Sequence, residues 1–81
     1  MKSMPVCYVL ISVEPGRERK VYNKLSKMPE IVECHIVSGE CDIIVKLKVD
    51  DLESLPSIVA TKIKSIKGVK DTRTLTGLEI R

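Results

Sequence analysis

The chain is poor in aromatic and histidine side chains. Its 81 residues include no tryptophan and no phenylalanine, and they provide only Tyr8, Tyr22 and His35. No Ser-His-Asp set, paired-carboxylate site or metal cluster can be assembled from the spacing, so we expect neither catalysis nor a cofactor. An RNA-recognition module displays stacking aromatics on its central strands, and Tyr8 is the single candidate for that role. The sequence therefore argues against an enzyme and against an RNA-recognition module.

Cysteine is too scarce and too irregular for a disulfide scaffold. Cys7, Cys34 and Cys41 are odd in number and form no Cys-x-x-Cys pair, which a heavy-metal carrier would need at 14–17. Adjacent residues of a strand point to opposite faces, so Cys34 and His35 are not expected to share a metal ion. We expect reduced thiols that are mostly buried, because free cysteine is among the most buried residue types.

The chain also lacks a long apolar run and a leader-like N-terminus. No stretch approaches the roughly 18 apolar residues of a membrane span, and no cleavage site of small residues follows residues 1–5. The 14 basic and 11 acidic residues give a net charge of +3, and the basic residues are spread through both predicted helices and the third strand, with acids between them. We therefore expect a cytoplasmic protein that binds neither membranes nor nucleic acid directly.

The length predicts one domain, spanning residues 1–81. A domain this short buries only about 60% of its unfolded surface, so chains of this size usually need disulfides, a metal ion or a partner subunit as well. The cysteine and histidine patterns disfavour the first two. A partner subunit remains.

Hydrophobic periodicity predicts two β-α-β units in succession. The predicted elements are a strand at 6–13, a helix at 17–28, strands at 31–38 and 41–49, a helix at about 55–66 and a strand at 69–76, followed by a tail at 77–81. Pro29 ends the first helix, Asp50 and Asp51 favour the start of the second, Ser54 is its expected N-cap and Gly68 its left-handed C-cap.

Right-handed crossovers then give an α+β, ferredoxin-like βαββαβ sandwich, in which a four-stranded antiparallel sheet carries two helices on one face. Some dimeric sandwiches of this shape are monooxygenases, but those need more aromatic and histidine content.

Alternation along the strands predicts which face each side chain occupies. In the second strand it places Val32, Cys34 and Ile36 together, facing away from Glu33 and His35. The sheet face without helices should carry four apolar side chains, which are Val6, Tyr8, Leu10 and Ile44. If these side chains stayed exposed to water, the domain would lose much of its small free energy of unfolding. We therefore expect a two-fold dimer that packs sheet face on sheet face.

Four segments of the chain together resemble a known family. They are VEPG at 13–16, LSKMP at 25–29, IVECHIVSGECD at 31–42 and IKGV at 66–69. They are similar to the RAM domain, the effector-binding half of the Lrp/AsnC transcriptional regulators, and the resemblance covers nearly the whole chain. Full-length members also carry a DNA-binding helix-turn-helix, for which no residues remain here, so the chain resembles the stand-alone members.

The resemblance implies an assembly and a binding site. Dimers through the sheet face would associate into rings, with an amino-acid effector bound between dimers beside the loop at 39–42. Gly39 would let backbone N–H groups approach a carboxylate, Asp42 would pair with an α-ammonium group, and Glu40 and Cys41 complete the loop. Thr72 and Thr74 would contribute hydroxyl groups, although threonines here are also ordinary strand formers. Many relatives have an aromatic residue in place of Cys41, so the pocket should be smaller or differently shaped.

Two functions remain open at this point. Asp42 is either an effector ligand or a turn acid that hydrogen-bonds its own loop. In the first case the protein is a non-catalytic amino-acid sensor and oligomerisation module in transcription regulation. In the second it is a structural partner that assembles with full-length Lrp/AsnC regulators without binding a ligand itself.

Overall fold

Four antiparallel strands form one sheet in the computed structural model, which describes residues 3–80 and the exposure of side chains from Val6 to Leu78. In chain order the strands are β1 (Ser3–Val13), β2 (Ile31–Ile36), β3 (Ile43–Leu47) and β4 (Val69–Ile80), and their order across the sheet is β2-β3-β1-β4. The predicted ferredoxin-like topology is confirmed. Residues 77–80 of the expected tail continue β4 along β1, whereas Met1, Lys2 and Arg81 lie outside the described residues.

Two helical segments cover one face of the sheet. The first is α1 (Glu18–Ser26), and the second joins a 3-10 turn (Leu52–Ser54), the α-helical turn α2 (Leu55–Ile58) and a π-helical turn (Val59–Ile63). No helix in the described part of the chain is long and apolar enough to cross a membrane.

The start of the second helical segment follows the prediction in part. Ser54 occupies the N-cap position of α2, but it has helical φ of −80° and its side chain makes no capping hydrogen bond. Its N–H donates instead to Oδ1 of Asp51 at 2.9 Å. Asp51 has extended backbone, so its carboxylate can accept the N–H three residues on, as an N-cap does. Asp51, one of the two aspartates expected to cap this segment, is therefore the side-chain cap, because the chain enters the helix through a 3-10 turn.

The core lies between the sheet and the helices. β1 and β3 alternate as predicted, and their inward residues are almost completely buried, as are the inward residues of both helical segments. These core residues are Cys7, Val9, Ile11, Val13, Val21, Leu25, Ile43, Val45, Leu47, Leu55, Val59 and Ile63. Burying each large apolar side chain stabilises the fold by about 1.5–3 kcal/mol.

The faces of β2 were predicted wrongly in part. Ile31 lies opposite Leu47 and Glu33 opposite Lys46, so the register shifts by one residue and Val32 forms a bulge. Val32 is therefore out of phase with Cys34, and it is 51% exposed. A bulge adds one residue to a strand, so the side chains before it and those after it alternate between the two sheet faces in opposite order. Simple alternation along the sequence does not show where this change occurs.

Candidate functional site

A cavity of about 360 Å³ opens on the sheet face that the helices leave uncovered. Three pieces of chain meet there: the end of β1, the beginning of β4 and the loop between β2 and β3. The lining residues are Leu10, Ser12, Glu40, Cys41, Asp71, Thr72 and Arg73.

Charges of both signs line this cavity. Leu10 pairs with Arg73 and Ser12 with Asp71 across β1 and β4, so Asp71 and Arg73 lie on the same face, about 7 Å apart along the strand. Glu40 approaches from the loop. Within the described part of the chain, the side chains of Glu40, Asp71 and Arg73 make no hydrogen bond or ion pair. The cavity thus offers one cation and two anions that are free to bind a solute.

Asp42 hydrogen-bonds the backbone of β1 and does not line the cavity. Its Oδ2 accepts a hydrogen bond from the Val13 N–H at 2.8 Å, and its own N–H donates to the Ile11 carbonyl at 2.9 Å. Its carbonyl accepts from the Val37 N–H at 2.9 Å. Asp42 therefore fastens both ends of the β2–β3 loop to the sheet.

The structure brings together some of the predicted effector residues. Glu40, Cys41 and Thr72 line the cavity, whereas Gly39, Asp42 and Thr74 do not. Gly39 has φ of +124°, and a Cβ added to it would meet nothing within 4 Å, so it shapes the loop rather than the cavity wall. The residues that sequence reasoning missed are Ser12, Asp71 and Arg73, and Leu10 was assigned only to the dimer face.

The signal for the missed residues was the alternation of β4. Thr72 and Thr74 pair with the core residues Ile11 and Val9, so they alternate with Asp71 and Arg73 along β4; Thr72 borders the cavity between these two charged residues. Asp71 and Arg73 pair with Ser12 and Leu10, so they lie on the sheet face that the helices leave uncovered. Pairing β4 with β1 in the correct register would have selected the two charged residues.

The four residues of the predicted dimer face differ in exposure within a single chain. Tyr8 is 37% exposed, Leu10 and Ile44 are half-buried, and Leu75, which lies opposite Tyr8 on β4, is 47% exposed. Val6 is only 8% exposed and so has little surface left for a partner. The dimer itself stays a prediction.

The three cysteines are free and differ in their surroundings. Cys7 is buried, and Cys34 and Cys41 are half-buried. Burial raises the pKa of the Cys7 and Cys34 thiols above the ordinary value, which keeps them protonated and unreactive at neutral pH. Cys41 is the one cysteine of the described chain that lines the cavity.

Comparison with known proteins identifies the family. The family model of the Lrp/AsnC ligand binding domain matches residues 6–80. The chain belongs to this family. Among curated relatives, an HTH-type transcriptional regulator of Pyrococcus furiosus, PF0250, is 37% identical over 71 residues, which are 84% of this chain and 47% of the regulator. The chain thus spans about half the length of the curated relatives it matches.

Solved structures agree with this assignment. FFRP-DM1 superposes with a TM-score of 0.85 at 35% identity, covering 91% of this chain and 99% of its own. The L-Met complex of the transcriptional regulator NMB0573 from Neisseria meningitidis superposes with a TM-score of 0.81, covering 93% of this chain and 50% of its own; at 21% identity it shows the fold alone. The matched region is a ligand-binding domain of the kind found in transcriptional regulators. That it acts without a helix-turn-helix stays a prediction.

Proposed function

We propose that this Lrp/AsnC domain binds a free amino acid, or a similar small zwitterion, in the cavity between β1, β4 and the β2–β3 loop. It would do so as a cytoplasmic homo-oligomer that contributes to transcription regulation. The observation that carries the proposal is the meeting of Arg73 with Asp71 and Glu40 at one cavity, with no partner for any of them among the described residues.

The charges suit the two ends of an amino acid. The planar guanidinium of Arg73 is suited to a carboxylate, which it can bind through two parallel hydrogen bonds. Asp71 or Glu40 can accept hydrogen bonds from the α-ammonium group. The volume of about 360 Å³ leaves room for a side chain beside Leu10 and Cys41. This assigns the ammonium to Asp71 or Glu40 and makes Asp42 a positioning residue that holds the loop.

The family supports an amino acid as the class of effector. The Neisseria meningitidis regulator was solved with L-Met, although its 21% identity does not transfer that ligand to this chain. The choice of amino acid is an experimental question.

Assembly and binding are linked in this proposal through Leu10. Leu10 belongs to the exposed apolar sheet face and also lines the cavity. A second copy packed on Tyr8 and Leu75 would therefore lie beside the cavity mouth and remove water from it. Charge pairs strengthen when water is excluded, so a bound zwitterion would favour the assembled state.

A thermal-shift screen against the common amino acids tests the proposal. A ligand at a hundredfold excess over its Kd stabilises by about 2.7 kcal/mol, which raises the melting temperature of a domain this size by about 11–22 °C. We expect Arg73→Gln to abolish the response, whereas Lys48→Gln, an exposed cation outside the cavity, keeps it.

Two results would contradict sensing. One is that no amino acid raises the melting temperature, and the other is that Arg73→Gln responds like the native chain. If no amino acid stabilises the protein, but it forms mixed oligomers with a full-length Lrp/AsnC regulator, the structural-partner function is correct instead.

Cys41 provides a second readout of the same site. We expect iodoacetamide to label Cys41 before Cys34 and Cys7, because burial raises the pKa of the latter two thiols. The amino acid found in the screen should slow the labelling of Cys41, as measured by mass spectrometry. Unchanged labelling would place the ligand elsewhere.

A further inference from the structure

Basic residues are concentrated in two stretches of the chain. Residues 17–27 carry five basic residues and one acidic residue, Glu18, and residues 62–70 carry four basic residues and no acidic one. The nine are Arg17, Arg19, Lys20, Lys24, Lys27, Lys62, Lys64, Lys67 and Lys70. The first stretch covers α1, and the second runs from the end of the second helical segment into β4. The start of the second helical segment is acidic instead, with Asp51 and Glu53.

Four of these basic residues form a stripe along α1. Arg17, Lys20, Lys24 and Lys27 follow one another at steps of three, four and three residues, which places them on one flank of a helix. Lys20, Lys24 and Lys27 are exposed and Arg17 is half-buried.

The stripe faces the turn before β4. A Cβ placed on Gly68 would lie 3.0 Å from Cβ of Arg17, so the turn packs directly against this flank of α1. Lys67, the residue before Gly68, is exposed, as is Lys64. The stripe together with Lys64 and Lys67 is called here the basic layer. Exposed Glu14 lies where the stripe meets the turn, since its N–H donates to the Gly68 carbonyl at 2.8 Å. Lys62 adds less to it, because Lys62 is paired with Glu30.

The basic layer displays no large exposed apolar side chain. Among the described residues, the exposed large hydrophobics are Tyr8, Val32, Ile36, Leu52, Leu75 and Leu78, and all of them lie outside 17–27 and 55–70. Protein interfaces usually bury an apolar core, whereas nucleic-acid interfaces are more polar and strongly positive. A partner on this surface must be recognised by charge.

We propose that the basic layer binds the phosphate backbone of duplex DNA without reading its sequence. Lysines on a convex helix suit phosphate contacts, which position a protein but carry no base information. The cavity and the apolar face lie on the opposite side of the sheet, so sheet-to-sheet association of two copies would leave both basic layers outward. This reverses the expectation from sequence, which was that the chain does not bind nucleic acid directly.

The proposal predicts a steep dependence on salt. If about four side chains neutralise phosphates, the affinity falls about 100-fold between roughly 50 and 200 mM salt, since each contact releases condensed counterions. A dissociation constant of roughly 1–100 μM at the lower salt is typical of such non-specific binding.

Fluorescence anisotropy with the full chain and a labelled duplex of about two helical turns tests this. Lys24→Glu lies in the stripe and Lys48→Glu outside the basic layer; both lysines are exposed and both substitutions change the net charge equally. We expect Lys24→Glu to weaken binding about tenfold and Lys48→Glu about twofold or less, because screening limits the reach of exposed charges to about 10 Å. The double variant Lys20→Glu/Lys24→Glu should lose binding in the same titration.

Three results would overturn the proposal. The first is no binding at low salt, and the second is an equal loss in Lys24→Glu and Lys48→Glu, which would indicate attraction by net charge alone. The third is tighter binding of poly-L-glutamate than of the duplex at the same charge concentration, which would indicate an acidic protein partner. The proposal does not depend on the effector, so it stands or falls separately from the thermal-shift screen.

Discussion

Oδ2 of Asp42 accepts a hydrogen bond of 2.8 Å from the backbone N–H of Val13, which lies 29 residues earlier in the chain. The pairing of β1 with β3 ends at Ile11 and Ile43, so this carboxylate satisfies a backbone donor of β1 beyond the last paired residue. Together with the bond from the Asp42 N–H to the Ile11 carbonyl, it holds the loop that carries Glu40 and Cys41. The shape of the cavity thus depends on a residue that does not line it.

Replacing Asp42 should lower stability as well as effector affinity. Asp42→Ala removes the acceptor of the Val13 N–H, and we expect a loss of about 1–2 kcal/mol in the free energy of unfolding. Asp42→Asn keeps an acceptor oxygen and should lose less. Urea denaturation measures both, with the exposed neighbour Glu40 as control, since Glu40→Ala should change stability by no more than about 0.5 kcal/mol. Equal losses at the two positions would show that the bond contributes nothing.

Gly68 should tolerate substitution less well than Gly39. Both have positive φ, +105° and +124°, which disfavours any residue with a Cβ. Gly68→Ala would in addition place its Cβ 3.0 Å from Cβ of Arg17 and 3.2 Å from Cγ2 of Val21, whereas Gly39→Ala meets nothing within 4 Å. We expect a loss of about 1–2 kcal/mol for Gly39→Ala and about 1 kcal/mol more for Gly68→Ala, measured by urea denaturation. Equal losses of unfolding free energy in the two variants would mean that α1 moves away from an alanine at position 68 without cost.

The Glu30–Lys62 pair should make stability depend on pH. The hydrogen bond from Lys62, followed by one from the backbone N–H of Glu30 itself, holds the pKa of Glu30 below its ordinary value of 4.5. A carboxyl whose pKa is lowered on folding stabilises the folded state above its ordinary pKa, and this contribution is lost as the pH falls through the folded-state pKa. The native chain should therefore exceed Lys62→Met in stability at pH 7, and the difference should vanish in acid.

The urea midpoints of the two proteins across this pH range provide the measurement. Lys64→Met is the control, since Lys64 is also exposed and makes no ion pair among the described residues. A difference between the native chain and Lys62→Met that is the same at pH 7 and in acid would exclude Glu30 as its source.

The parts of the fold that were predicted from sequence are those with uninterrupted periodicity. Val9 and Ile11 alternate in β1, and Leu55, Val59 and Ile63 recur at helical spacing, so each element shows the face that it buries. The topology follows from the order of these elements. The errors lie where one residue changes the phase, as at Val32, or where a cap precedes its helix by a turn, as at Asp51.

The candidate site was predicted only in its loop. Glu40 and Cys41 are adjacent in sequence and line the cavity together, whereas Asp71 and Arg73 join them only through the pairing of β4 with β1. That pairing is a contact between distant parts of the chain, and its register decides whether Asp71 and Arg73 face the cavity. The sequence pattern of β4 alone, in which the two sets alternate, does not specify that register.

Leu75 provides a direct test of assembly through the sheet face. It is 47% exposed beside Tyr8, and a charge there would be buried without a partner if a second copy covers this face. We expect light scattering to show a dimer or larger oligomer for the native chain and a folded monomer for Leu75→Glu. Leu78 is 67% exposed and lies on the other face of β4 from Leu75, so Leu78→Glu should leave the oligomer intact. A native chain that is monomeric and stably folded in dilute solution would contradict the proposed assembly, and equal dissociation of both variants would place the contact at the edge of the sheet instead.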